Sequence, residues 1–160
     1  MKKSKAKPDE KICLIKVILS DWSGNVRGHP YRIIAVPERF TLYRLAETIV
    51  DSFGFYFDHP FGFYDNIRQW NKSKEGYELF ADIGEESEFK GVERTKVNHV
   101  FHEIKKKMLF LFDYGDEWHF ILELKGIESP RENSKYPFVV ESVGDAPPQY
   151  GEPEEEFYLN

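Results

Sequence analysis

The chain has 160 residues, a single cysteine and a formal net charge of −6. A domain of this length buries roughly 70% of its unfolded surface, so it needs neither a disulfide nor a structural metal to fold, and one Cys admits no intrachain bridge. The acid excess argues against a nucleic-acid binder, which draws its affinity from neutralised phosphates, and no apolar run reaches the roughly 18 residues of a membrane-spanning helix.

The N-terminal stretch MKKSKAKPDEK sets Lys2, Lys3, Lys5, Lys7 and Lys11 against Asp9 and Glu10. It has the charge of a secretory leader but no small-residue cleavage site follows. We read 1–11 as a disordered basic tail and the protein as cytoplasmic. ICLIKVIL, 12–19, is β-branched and nearly continuous, which predicts a buried strand. Cys13 lies inside it, as a small apolar side chain and not a nucleophile. SDWSGN is turn chemistry, and YRIIAV, 31–36, predicts a second strand that pairs with the first and ends at Pro37. Trp22 sits in the connection, either as a lid on the core or as an exposed contact residue.

TLYRLAETIVDSFGF places Leu42, Leu45, Ala46, Ile49, Val50 and Phe53 on one helical face. Thr41 suits the N-cap, and Gly54 suits the left-handed residue that stops the helix. HPFGFYDN, 59–66, returns to strand through Phe61 and Phe63. NKSKEG is loop, YELFADIG, 77–84, predicts another strand, and 85–94 has no clear pattern. TKVNHVFHEIKK, 95–106, spaces Val97, Val100, Phe101 and Ile104 as a short helix. Met108 to Phe112 is uninterrupted apolar, as in a central strand covered on both faces. Beyond a turn, Trp118, Phe120, Leu122 and Leu124 alternate with His119, Ile121 and Glu123, the pattern of a half-buried antiparallel strand. YPFVVESV, 136–143, is the last strand, followed by a Pro-rich turn and an acidic tail over 152–160. The mixture, without strict βαβ alternation, predicts one compact α+β domain over 12–151, a mainly antiparallel sheet with two or three helices packed on it.

Four pieces occur in order along this chain: SFGF at the helix end, the His59-x-Phe61-x-Phe63 element, FDYGDEW and GDAPPQYG. Together they resemble the plasmid pRiA4b ORF-3-like family, whose signature is an aromatic-Asp-aromatic-Gly-Asp-acid-Trp run. Phe112, Asp113, Tyr114, Gly115, Asp116, Glu117 and Trp118 match it position by position. The resemblance covers roughly 12–151. It implies a compact α+β fold and, the family being largely uncharacterised, no particular activity. The family's Pro-Pro segment usually continues with acidic residues, a Cys and paired glycines. Here Pro147 and Pro148 are followed by Gln149, Tyr150 and Gly151, so no role resting on that Cys is carried over.

FDYGDEW supports two readings. As structure, Gly115-Asp116 suits a two-residue type II′ hairpin turn, with Asp113 opposite Trp118 and Phe112 opposite His119. Asp113 would accept N–H bonds across the turn and, geometry allowing, the Trp118 indole N–H. As chemistry, Asp113 and Asp116 offer the oxygen ligands of Mg²⁺ or Mn²⁺, which could activate water for phosphoester hydrolysis. That metal would need an acid from another segment, such as Asp65 or Asp145. His99 and His102 share a helical face but lack the third and fourth ligands of a zinc site, and read as surface histidines. His59, before Pro60, reads as a turn or packing residue. No phosphate loop, nucleophile elbow or Cys/His pair occurs, so no catalytic residue and no cofactor is assigned.

Aromatics make up 16% of the chain, a heavy load of which most belongs to the core and some could line a binding groove. The preferred reading is therefore a non-enzymatic binding module that takes a protein or peptide partner on Trp22, Tyr56, Phe57, Trp70 or Trp118. The alternative is a divalent-metal-dependent hydrolase of phosphoesterase or nuclease type at the Asp113/Asp116 turn.

Overall fold

The computed structural model describes residues 2–150. The two β-branched runs near the N-terminus become β1 (Ile12–Ser20) and β2 (Tyr31–Pro37), paired antiparallel as expected. Helix α1 (Leu42–Ser52) follows. The Thr41 side chain accepts from the Arg44 amide at 3.1 Å, and Gly54 takes φ 75°, so both ends stop where their chemistry predicts. The remaining elements are β3 (Phe61–Tyr64), β4 (Gly76–Glu78), α2 (Leu79–Asp82), β5 (Lys90–Gly91), α3 (Val97–Val100), β6 (Lys107–Phe112), β7 (Trp118–Glu128) and β8 (Phe138–Val143). A single 3₁₀ turn lies at Trp70–Lys72.

The strands form one eight-stranded sheet in the order β5-β4-β3-β6-β7-β1-β2-β8. All neighbours are antiparallel except β4 and β5. The architecture is thus the predicted α+β domain with a mainly antiparallel sheet. Its main core lies between α1 and one sheet face, where Ile15, Val17, Phe110, Phe112, Phe120 and Leu122 meet Leu45, Ile49 and Phe53. The other face carries two smaller clusters. One joins Ile12, Ala35 and Tyr136; the other joins Tyr64, Leu109 and Leu111 beneath Trp70, Phe89 and Tyr114.

Four expectations change. The strand predicted at 77–84 pairs only through Glu78 and then coils into α2. Leu79 packs against the main core from there, and Asp82 is held by the amides of Val92 and Glu93 at 2.8 and 3.1 Å. The helix predicted over 95–106 is only α3. Ile104 is 52% exposed, because the chain must reverse at Lys105 (φ 78°) to enter β6. On β7 the face expected outward is covered in its first half: His119 and Ile121 are buried. Finally, the segment expected to be a loose basic tail touches the domain. Ser4 exchanges both backbone hydrogen bonds with Tyr136, at 2.9 and 2.7 Å, and Ala6 packs on the Ile12 cluster. The acidic tail over 152–160 lies outside the described residues.

Antiparallel connectivity sends four connections to one end of the sheet. They are the β1–β2 loop, the stretch between α1 and β3, the β6–β7 turn, and the segment after β8. Arg32 anchors the last of these. Its guanidinium lies over the Phe53 ring and donates to the carbonyls of Ser52 (2.8 Å), Tyr31 (2.9 Å), Val143 (3.2 Å) and Gly144 (2.9 Å). Burial pushes its pKa down, against a smaller upward pull from Asp145. Charge-assisted bonds to carbonyls are strong, and orphaning their acceptors is costly. Arg32→Met should therefore cost about 3 kcal/mol in urea unfolding. Hydrogen exchange should show 144–150 loosening before the sheet does.

Candidate functional site

The β6–β7 turn is not the two-residue hairpin that Gly115-Asp116 suggested. Phe112 pairs with Trp118, so residues 113–117 form the loop, and the register sits one residue from the expected one. Positive φ falls at Asp113 (67°) and Glu117 (52°), not at Gly115. Asp113 organises the turn. Its Oδ1 accepts from the amides of Gly115 (3.0 Å) and Asp116 (3.3 Å), and its carbonyl accepts from the Glu117 amide. Its own amide donates to the Pro60 carbonyl at 2.9 Å, tying the turn to the stretch before β3. Asp is among the few residues that tolerate the left-handed region, which is why it can sit here.

The Pro60 link brings Asp58 and His59 alongside. His59 Nε2 lies 3.4 Å from Asp113 Oδ2, 3.5 Å from Asp58 Oδ1 and 3.1 Å from the Tyr150 hydroxyl. Tyr150 donates a short hydrogen bond to Asp58 Oδ2. Gln149 fixes this approach. Its Oε1 accepts from the Tyr56 amide at 2.6 Å, and its Nε2 donates to the Tyr56 carbonyl (3.1 Å) and to Asp58 Oδ1 (3.2 Å). The buried amide thus pairs with the Tyr56 backbone as a strand neighbour would. The Tyr150 phenol is pushed up to about 12, first by its bond to Asp58, then by burial and the charges of Asp58, Asp113 and Asp116.

The residues singled out from sequence separate into two groups. Trp22 is 77% and Tyr56 73% exposed, both at this end of the sheet. Trp70 and Trp118 are half-buried supports. Trp70 packs on Tyr64 and Tyr114 and donates to Glu117 Oε1 at 3.3 Å. Trp118 packs on Phe55, and its indole N–H, expected to reach Asp113, is buried without a partner among the described residues. Phe57 packs against the core. Neither Asp65 nor Asp145 meets Asp113: Asp65 holds the amides of Lys74 and Glu75, and Asp145 acts on Arg32. Among the described residues no three His, Cys, Asp or Glu side chains converge to hold a metal, and Asp116 is exposed. His102 lies beyond α3, so it does not share a helical face with His99. Sequence reasoning missed Asp58, Gln149 and Tyr150 and read His59 as a turn or packing residue. The only cue was that two pieces of the family pattern carry His59, Gln149 and Tyr150; Asp58 lies in none of them.

Asp113→Ala should cost about 2–3 kcal/mol in urea unfolding, since it removes the turn's acceptor and leaves a positive φ without an Asp side chain. Asp113→Asn, which keeps an Oδ1 acceptor, should cost about 1 kcal/mol or less. Tyr150 holds its proton in the folded state, so its bond supports the fold below the ordinary tyrosine pKa of about 10 and is lost as pH rises through about 12. In an ultraviolet difference titration, Tyr150→Phe should remove one phenolate that ionises near that value.

The fold has a solved counterpart: the crystal structure of the protein of unknown function MM3350 from Methanosarcina mazei Go1, with a TM-score of 0.65 and 20% sequence identity over 83% of this chain and 69% of that one. At that identity the likeness shows the fold alone. No curated protein matches the chain. The sequence pattern of the plasmid pRiA4b ORF-3-like proteins matches residues 11–155, which span every segment meeting at Asp113. The chain belongs to the plasmid pRiA4b ORF-3-like family.

Proposed function

We propose that this protein is a cytoplasmic, non-enzymatic binding module that takes a cationic segment of a protein or peptide partner on this end of the sheet. One observation carries the reading: Asp58, His59 and Tyr150, from two separate segments, gather at the surface around the buried Asp113 of a third, with His59 Nε2 3.4–3.5 Å from both carboxylates and Tyr150 hydrogen-bonded to His59 and Asp58. The connections at this end carry Asp21, Asp58, Asp113, Asp116, Glu117 and Asp145 against Arg27 alone. Exposed Tyr56 and Tyr150 stand among them. Carboxylates beside aromatic rings suit an ammonium or guanidinium group, which gains charge-assisted bonds and a cation–π contact. The two tyrosines supply anchor area at small entropic cost. The cytoplasmic part of the reading rests on cysteine use alone: Cys13 is a free, buried thiol, and reduced thiols are the rule in the cytosol.

The test is fluorescence anisotropy with a short labelled peptide alternating Lys and Ser, and a second alternating Glu and Ser. The lysine peptide should bind saturably, weaken as NaCl rises from about 50 to about 500 mM, and outcompete the acidic one. Asp58→Lys with Asp116→Lys should weaken it at least about tenfold, or 1.4 kcal/mol. Glu132→Lys, on the connection at the opposite end, should not. Equal binding by the charge-reversed variant would overturn the proposal. So would stabilisation by Mg²⁺ or Mn²⁺ of about 2.7 kcal/mol at a hundredfold excess over Kd that Asp113→Asn abolishes, which would favour the hydrolase reading instead.

A further inference from the structure

On the sheet face away from α1, β1 and β7 present Ile18 and Ile121 as cross-strand partners. With Val26 of the β1–β2 loop and Ile67 of the β3–β4 loop they line a cavity of about 270 Å³. Arg68, Lys107 and Glu123 stand around it. Glu123 is already matched, 3.8 Å from Lys107 and 3.2 Å from Lys125. A second cavity of about 380 Å³ adjoins the first and shares Ile67 and Arg68 with it. Lys72 and Lys74 line this one together with Asp65, whose Oδ1 is taken by the Lys74 and Glu75 amides. Among the described residues no carboxylate pairs with the side chains of Arg68, Lys72 or Lys74.

The loop that carries these cations is held in place. The Asn66 amide donates to Ser73 Oγ at 3.0 Å and the Gln69 amide to Asn66 Oδ1 at 2.9 Å. Trp70 is wedged between Tyr64 and Tyr114 and bonded to Glu117. A chain of net charge −6 thus presents three unmatched cations, from a fixed loop, beside an isoleucine-lined cleft. Fixed charge next to apolar surface lowers the ordering cost of a ligand that has both. The volumes suit a small molecule.

We propose that the two cavities form one binding site for a small amphipathic anion, a phosphate monoester or carboxylate with an apolar body. Arg68, Lys72 and Lys74 hold the charge, and Ile18, Ile67 and Ile121 receive the body. The site shares the β1–β2 loop with the acidic end of the sheet but uses none of its carboxylates, so either proposal can fail without the other.

The experiment is an amide NMR titration of the full chain with hexyl phosphate, alongside inorganic phosphate and hexanol. Hexyl phosphate should shift the amides of Ile18, Gly24, Ile67, Arg68 and Ile121 saturably, and each half-ligand should bind at least about tenfold more weakly. Arg68→Glu should weaken hexyl phosphate at least about tenfold with the thermal midpoint unchanged. Lys72→Glu serves as the second variant should the first disturb the fold. Equal binding of inorganic phosphate, equal binding of hexanol, wild-type affinity in both variants, or no saturable shift would each overturn the proposal.

Discussion

Asp113 closes the β6–β7 turn, and the pairing register of these central strands follows from that closure. In a sheet a slip of one residue moves every side chain to the opposite face. With Phe112 opposite Trp118, Phe110 opposite Phe120 and Met108 opposite Leu122, the aromatic face meets α1. Leu109, Leu111, His119 and Ile121 are left for the other side. In the register suggested by Gly115-Asp116, Phe112 would have faced His119, and the phenylalanine layer would have been split between faces. The turn is therefore chosen by burial of rings as much as by local turn chemistry. Each buried aromatic is worth roughly 2–3 kcal/mol, more than the preference among turn types.

The second face has a constraint of its own. Tyr64 is buried there, donates to Glu78 and shares a hydrogen bond of 2.6 Å with Tyr114, while Ser87 donates to the other Glu78 oxygen at 2.6 Å. Burial first, then the neighbouring tyrosine and Glu78, push the Tyr64 phenol well up. Gly62 makes room for this: a Cβ there would lie 2.7 Å from both the Tyr64 and Tyr114 hydroxyls. A buried polar chain is tolerable only when its members are satisfied, and here Tyr64, Tyr114, Glu78 and Ser87 all find partners. It ties β3, β4 and the β6–β7 turn together, and Trp70 packs on it from above.

The same turn lies between the two proposed surfaces. Asp113 faces His59, Asp58 and Tyr150, whereas Glu117 reaches the other way and accepts from Trp70 and from His119 at 3.1 Å. His119 is 3% exposed, and its Nδ1 has no partner among the described residues. Five residues thus join the acidic end of the sheet, with its exposed tyrosines, to the loop that carries Arg68, Lys72 and Lys74. The chain's overall negative charge hides this division, because charge summed over a sequence says nothing of which face carries it.

The sequence by itself determined what depends on near neighbours and on period. The amphipathic helix with its Thr41 and Gly54 ends, the hairpin of β1 and β2, the doubly covered β6 and the α+β class all follow from local chemistry and spacing. Short elements were legible only in part: α3 covers a third of its predicted span, and β4 gives way to α2, because the reversal at Lys105 and the hold on Asp82 come from distant chain. The meeting of Asp58, His59, Asp113, Gln149 and Tyr150 was decided by tertiary structure alone. Tyr150 lies 92 residues from Asp58, and nothing in either segment names the other. Only the strand order, with Arg32 holding the end of β8 against α1, brings the two acids, the imidazole and the phenol together.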